Sequence, residues 1–248
     1  MSKILCTICA RGGSKGLPNK NIKNMYDVPL IAYTIDQAKK SKIFDKIVIS
    51  TDSDKISNIS KLWGSDICFK RPKYLSTDKA RKLDVIKKTF LKSEKYFNKK
   101  YDFCIDLDAT APLRRVNDII EFANLLKKQK GHNLITVTAV RKNPYFNMIE
   151  TDKVGWKKIK KSKLVRRQDA PIVFDMNASM YGWDRDSLIS RNKIVGPKTL
   201  TYEMKDFQAY DIDSKFDWEI VKYLIKKYRF QIPKKNYLKS GSKKYGSL

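Results

Sequence analysis

At 248 residues, 42% of them hydrophobic, the chain is long enough for one large α/β domain, or one domain with a small appended lobe. No apolar run approaches the roughly 18 residues of a membrane span, and Met1-Ser2-Lys3 enters an apolar segment without a secretory leader's basic region and cleavage site, which predicts a cytoplasmic chain with no membrane partner. The formal charge of +27 attracts polyanions, but the lysines fall as scattered pairs (Lys39-Lys40, Lys127-Lys128, Lys226-Lys227) with no aromatic-interleaved arm, so the surface reads as solvated and not as a nucleic-acid platform.

In chain order, Ile4 to Ala10 reads as a buried strand that runs straight into a glycine-rich loop. Cys6 and Cys9 lie on it three apart, on opposite sides, and the sole histidine, His132, stands far off; buried reduced thiols are expected, not a zinc site. Pro29 stands where a helix starts, and Ile31, Ile35 and Ala38 recur at helical spacing. Lys46 to Ser50 is a short strand, followed by a helix with Ile56, Ile59 and Trp63 on one face and Gly64 as its stop. Asp66 to Phe69 is a further strand. Leu83, Ile86 and Phe90 mark the next helix, Phe103 to Leu107 the next strand, Ile119, Phe122 and Leu126 another helix, and Leu134 to Val140 another strand. Such alternation predicts a mostly parallel sheet with helices on both faces, whose ligands bind beyond the carboxyl ends of the strands.

From Arg141 to Asp175 the alternation stops. Met148-Ile149-Glu150, a turn at Thr151-Asp152-Lys153, and Gly155-Trp156 read as a short hairpin on an arm that leaves the sheet. Trp156 and Trp183 are expected to be packing residues. The main fold resumes at Ala178 to Trp183, and Lys215 to Tyr228 forms the last helix, with Ser214-x-x-Asp217 as a capping box. This divides the chain into a main domain (1–140 and 176–232), an arm (141–175) and a basic tail (233–248) expected to fray.

The loop Arg11-Gly12-Gly13-Ser14-Lys15-Gly16, at the end of the first strand, carries the clearest chemistry. Glycines let backbone N–H groups approach phosphate oxygens, Ser14 adds a hydroxyl donor, and Arg11, Lys15 and Lys20 supply charge. It is neither the Walker loop nor the G-x-G-x-x-G dinucleotide fingerprint.

The run Ala10 to Asn21 closely resembles the signature of the acylneuraminate cytidylyltransferases, also called CMP-sialic acid synthetases. The resemblance continues through Ser50-Thr51-Asp52, Arg71-Pro72, Ala111-Pro112-Leu113-Arg114, Arg166 to Pro171, Asn177-Ala178 and Asp211-Ile212-Asp213, nearly the whole chain in the expected order. It implies a Rossmann-like α/β nucleotidyltransferase with a projecting dimerisation arm, hence a homodimer, using CTP as donor, Mg²⁺ as cofactor and an acidic nine-carbon sugar as acceptor. By motif position, Arg11, Gly12, Gly13, Ser14, Lys20, Asn21 and Arg71 would hold the nucleotide, with Arg11 and Lys20 acting on the triphosphate. Arg167 and Gln168 would approach the sugar, from the partner subunit, and Asp211 and Asp213 would hold the metal; their spacing of two predicts both carboxylates on one side of an extended strand, with Ile212 pointing into the core. Where sialic acid enzymes carry a serine pair this chain has Arg81-Lys82, and where they carry glutamine it has Asp108, assigned here to the sugar side. These departures look more like the branch that activates legionaminic acid. An octulosonate acceptor is the nearest alternative chemistry, and a basic nucleic-acid-binding α/β protein, suggested by the +27 charge, is the alternative of another class. Asp106 receives no role beyond capping a strand or pairing with a lysine, and the plain reading of Arg114 and Arg115 is as exposed charges at a helix start, although Arg114 lies inside the matched motif.

Overall fold

The computed structural model describes residues 2–14, 16–129, 131–140 and 142–234. Lys15, Arg141 and the tail beyond residue 234 lie outside the described residues. The strands are β1 (Ile4–Cys9), β2 (Asn24–Met25), β3 (Val28–Pro29), β4 (Lys46–Thr51), β5 (Ile67–Lys70), β6 (Phe103–Leu107), β7 (Asn133–Ala139), β8 (Ile149–Asp152), β9 (Gly155–Lys158), β10 (Phe174–Asp175), β11 (Met180–Asp184) and β12 (Thr199–Met204). The helices are α1 (Leu30–Ser41), α2 (Asp54–Leu62), α3 (Lys82–Phe97), α4 (Val116–Lys128), α5 (Arg185–Ser190) and α6 (Lys215–Lys227).

Among the described residues an eight-stranded sheet runs β10-β7-β11-β6-β1-β4-β5, with β12 also paired to β7. The pairings leave β10 and β11 antiparallel to the other six, so the sheet is mixed but mostly parallel, as the alternation predicts. Side chains alternate across it. Ile4, Cys6 and Ile8 of β1 face a core built with α1, α4 and α6, while Leu5 faces a second core with Leu83, Ile86 and Phe90 of α3. Covering both faces buries the central parallel strands almost completely, which is why β6 reads as a continuous apolar run broken only at Asp106.

Local signals hold where they were clear. Ser53 caps α2 by accepting from the Ile56 N–H, and Gly64 ends that helix at φ +90°, a conformation L-residues rarely adopt. Ser214 and Asp217 form the reciprocal capping box of α6. The cysteines Cys6, Cys9, Cys68 and Cys104 are free thiols.

Four expectations change. Arg114 is not an exposed helix-start charge; it is 1% exposed, and the neighbouring Arg115 takes the capping position of α4. Trp156 is not a packing residue within this chain, being 72% exposed on β9, whereas Trp183 is fully buried. The hairpin turns at Lys153-Val154, because Asp152 still pairs with Gly155. Asp211-Ile212-Asp213 forms no strand. Ile212 is nevertheless buried between its two acidic neighbours, held by its N–H to the Thr110 carbonyl at 3.0 Å. Elements not anticipated are α5 and β12, and the sheet is re-entered at Phe174, before the end of the proposed arm.

Candidate active site

A cleft of about 470 Å³ opens at the carboxyl ends of β1, β4, β5 and β6, where a parallel sheet exposes loops and free backbone groups. Arg11, Ser14, Lys20, Arg71, Asp108, Asp211 and Asp213, all singled out from the sequence, line it. Cys9, Thr77, Asp78, Ala80, Lys82 and Thr110 line it as well.

The glycine-rich loop is braced from several sides. Ala10 donates to the Ser50 carbonyl at 3.0 Å, and the Asn21 amide donates to the Arg11 carbonyl at 3.0 Å. The Gly12 N–H is taken by the Asp52 carboxylate at 2.8 Å, so that donor serves the loop's own shape. Gly13 is sterically open, but Gly16 is not: a Cβ there would stand 2.1 Å from the Asp213 carbonyl oxygen. Glycine at this position lets the loop lie directly against the segment that carries Asp211 and Asp213. Asn21 is 4% exposed and acts as a brace, not as a lining residue.

The cations are placed by carboxylates and carbonyls. Arg11 pairs with Asp78. Lys20 reaches the Ile212 carbonyl and the Asp213 carboxylate, both at 2.6 Å. Arg71 is 8% exposed and donates to the Ser50 carbonyl at 2.7 Å, so its guanidinium is fixed at the rim of β4. Lys82, the first residue of α3, is hydrogen-bonded to Asp108 and lies 3.4 Å from Asp106. Its ammonium also stands 4.7 Å from the centre of the Tyr181 ring.

That arrangement sets the charge states of the floor. Burial opposes charge on Asp108, but the Lys82 ammonium and the hydrogen bonds from Thr110 outweigh it and hold the carboxyl well below its usual range. Asp106 is fully buried; its Oδ1 accepts from Thr7 at 2.7 Å, and burial raises its carboxyl above the ordinary value. Asp211 is raised to about 6, first by burial and then by the charge on Asp108. Its Oδ1 is buried with no hydrogen-bond partner among the described residues.

Arg167 and Gln168 do not join this cleft. They line a separate depression with Val140, Asn143 and Glu203, and Arg167 donates to the Val140 carbonyl at 3.1 Å. Lys82, Thr110, Asp78 and Asp52 were missed as site residues. Lys82 and Asp52 were visible as, respectively, a departure from the family motif and a member of it, but no local pattern assigns them partners.

A model of the family described as Cytidylyltransferase matches residues 5–242. The chain belongs to the cytidylyltransferase family. It is 46% identical over 231 residues to "Post-translational flagellin modification protein B" of Campylobacter coli, covering 93% of this chain and 98% of that one. It is 44% identical over 225 residues to "CMP-N,N'-diacetyllegionaminic acid synthase" of Campylobacter jejuni, covering 91% and 96%. The fold of this cytidylyltransferase is also that of a solved CMP:2-keto-3-deoxy-manno-octonic acid synthetase complexed with CTP, with a TM-score of 0.67 at 16% identity over 92% of this chain and 100% of that one. The cytidylyltransferase is thus a nucleotidyltransferase on a Rossmann-like sheet, and the family resemblance read from its motifs holds. Among the described residues no helix is long and apolar enough to cross a membrane.

Proposed function

We propose that this cytidylyltransferase moves CMP from CTP to the anomeric hydroxyl of a nonulosonic acid of the legionaminic type. The anomeric oxygen forms a bond to the α-phosphorus, the anhydride bond to the leaving pyrophosphate breaks, and the hydroxyl proton passes to water. The observation that carries the reading is the cleft itself. Arg11, Lys20 and Arg71 converge on the glycine-rich loop at one side, and Asp108, Thr110 and Asp211 form the floor at the other. Catalysis in such a site is mainly positioning and neutralisation of developing charge. Ser14 and Arg11 would hold phosphate oxygens, Lys20 would meet the charge that grows on the leaving group, and Arg71 would hold the nucleoside end. The identity to the legionaminic acid synthase supports that acceptor class over an octulosonate.

The residues present suit a Mg²⁺ ion at Asp211. Its unpartnered Oδ1 and its proximity to the Asp108 charge are features that a divalent cation stabilises. Asp213 is mostly exposed and held by Lys20, so it would serve after exchanging that partner. Among the described residues no cluster of three or more metal-ligating side chains occurs, so substrate phosphates and water would complete the shell. When bound, the ion would offset charge on the α-phosphate and pyrophosphate. Asp211→Asn and Asp213→Asn should each abolish most turnover and raise the Mg²⁺ requirement while melting stays cooperative; normal activity of both at limiting Mg²⁺ would place the ion elsewhere.

The enzyme is read as a cytoplasmic homodimer, in which the arm would carry Arg167 and Gln168 toward the partner's sugar site. The deciding experiment is pyrophosphate release from CTP, UTP, ATP and GTP with N,N'-diacetyllegionaminic acid, N-acetylneuraminic acid and 2-keto-3-deoxy-manno-octonic acid. Turnover should require CTP and be fastest with the legionaminic acid. Equal turnover with ATP or GTP would remove the cytidylyl assignment, and preference for the octonic acid would move the acceptor.

A further inference from the structure

Arg114 is among the largest fully buried side chains, and its hydrogen bonds in the described structure all go to neutral oxygens. Nε donates to the Gln37 amide oxygen at 3.1 Å. Nη1 donates to the Ser179 carbonyl at 2.6 Å and to its hydroxyl at 3.2 Å. Nη2 donates to the Thr34 hydroxyl and the Asp108 carbonyl, both at 2.6 Å. Burying a guanidinium in this way has a desolvation cost that an apolar side chain of similar size would avoid. The fold keeps it where three separate pieces of chain meet.

Those pieces are the two sides of the cleft. Thr34 and Gln37 belong to α1, which follows the Arg11 to Asn21 segment after the short β2–β3 hairpin and is tied back to it by the Leu30 N–H on the Lys23 carbonyl at 3.0 Å. Ser179 leads into β11, and its carbonyl accepts from the Asp108 N–H as well as from Arg114. Asp108 follows the last residue of β6, and its Oδ1 accepts from the Thr110 N–H at 2.9 Å and the Thr110 hydroxyl at 2.7 Å. The Thr110 carbonyl in turn receives the N–H of Ile212, between Asp211 and Asp213. Gln37 also donates to the carbonyls of Pro112 and Arg114, so the whole 108–114 turn is fastened to α1.

We infer that Arg114 is a positioning residue of the transfer reaction, holding the floor of Asp108, Thr110 and Asp211 in register with the triphosphate loop ahead of α1. The inference rests on the nucleotide reading of the cleft. Arg114 touches no substrate; it acts through the Asp108 carbonyl and the α1 hydroxyl. A planar fork with donors on both edges can span these acceptors at once, whereas a lysine ammonium is a single point. A floor displaced by about 1 Å against the bound triphosphate would slow the chemical step by on the order of 100-fold. The nucleotide's own contacts, made by the loop and Arg71, would be little changed.

The test is steady-state kinetics of Arg114→Lys beside the wild type and the milder Thr34→Val, each with a thermal melt. Arg114→Lys should melt cooperatively and lose roughly 100-fold in kcat while KM for CTP stays within about threefold. The half-saturating Mg²⁺ concentration should rise, because the floor carries Asp211. Thr34→Val, which removes one acceptor, should move kcat and Mg²⁺ dependence in the same direction by less. A folded Arg114→Lys with wild-type kcat and Mg²⁺ dependence and only a lower Tm overturns the inference. If Arg114→Lys does not fold, an unchanged kcat in Thr34→Val overturns it equally. A wild type that releases no pyrophosphate with any sugar acid overturns the functional reading instead, a result separable from either.

Discussion

Arg11, Lys20 and Lys82 each meet a carboxylate in the cleft, and each pairing implies a different consequence of removal. Arg11 is about one-third exposed and Asp78 more so, and solvent screening limits their pair to about 0–1 kcal/mol of folding stability. Arg11→Ala should therefore leave Tm almost unchanged while costing on the order of 2–4 kcal/mol in kcat/KM, measured by pyrophosphate release and a thermal melt. Lys20 is 14% exposed in its side chain and ties the loop to the Ile212 carbonyl. Lys20→Ala should match the kinetic loss and also lower Tm, which separates the two residues. Asp108 already accepts from Lys82 and twice from Thr110, so on the proposed reading its side chain would meet an acceptor sugar together with Lys82. Asp108→Gln, which cannot hold a lysine by charge, should shift the kcat/KM ratio toward N-acetylneuraminic acid; an unchanged ratio would leave the position without a role in selectivity.

Between elements, the end of the sheet opposite the cleft is fastened by ion pairs, of which Glu94 with Arg185 is the most buried on its acidic side. Glu94 of α3, only 5% exposed, accepts from Nε and Nη2 of Arg185, at 2.9 and 3.0 Å, where α5 begins. It also accepts from the Tyr101 N–H ahead of β6. Burial opposes charge on Glu94, but the bonds from Arg185, Tyr101 and Lys100 prevail and hold its carboxyl below the usual range. A folded pKa depressed below the unfolded value of roughly 4.3 adds stability that is present above that value and lost as pH falls through the folded one. Glu94→Gln should destabilise the protein by about 2–4 kcal/mol at neutral pH, less than a wholly buried pair because Arg185 is partly solvated. The difference from wild type should shrink below about pH 4. Urea melts at neutral and acid pH check both statements. A deficit that persists unchanged in acid would mean that hydrogen bonding, not charge, makes the contribution.

Across the molecule, the most exposed apolar side chains gather on the arm. Val154 is 97% exposed, Val165 85%, Ile172 84% and Trp156 72%, and the ribbon β8–β9 pairs only with itself. A ribbon of two strands with so little buried surface is marginal alone and needs a partner surface. If that surface is a second copy, wild-type protein should sediment as a dimer at micromolar concentration. Trp156→Asp should then yield a monomer with reduced turnover, since Arg167 and Gln168 lie outside the cleft of their own chain. A monomeric wild type that is fully active would contradict the arrangement.

The residues that could be placed from sequence were those whose signal lies among near neighbours. The helical spacing of Ile31, Ile35 and Ala38, the capping pair Ser214 and Asp217, and the glycine-rich loop after β1 all act within a few residues, and the structure keeps them. The family motifs extended that reach across much of the cleft, because Arg71 and Asp211 lie in them and Asp108 departs from them, whereas Asp78 and Thr110 carry no such mark. Leu200, Tyr202 and Met204 also alternate with polar residues, so the period of β12 is written in its own sequence. What local order could not convey was which charges meet. Lys82 finds Asp106 and Asp108 from another element, Lys20 finds the segment around Ile212 far along the chain, and Arg114 is drawn out of solvent between α1 and β11. A side chain's periodicity is set by its neighbours in the chain, whereas its ionic partners and its burial are set by distances that exist only after the sheet has closed over both cores.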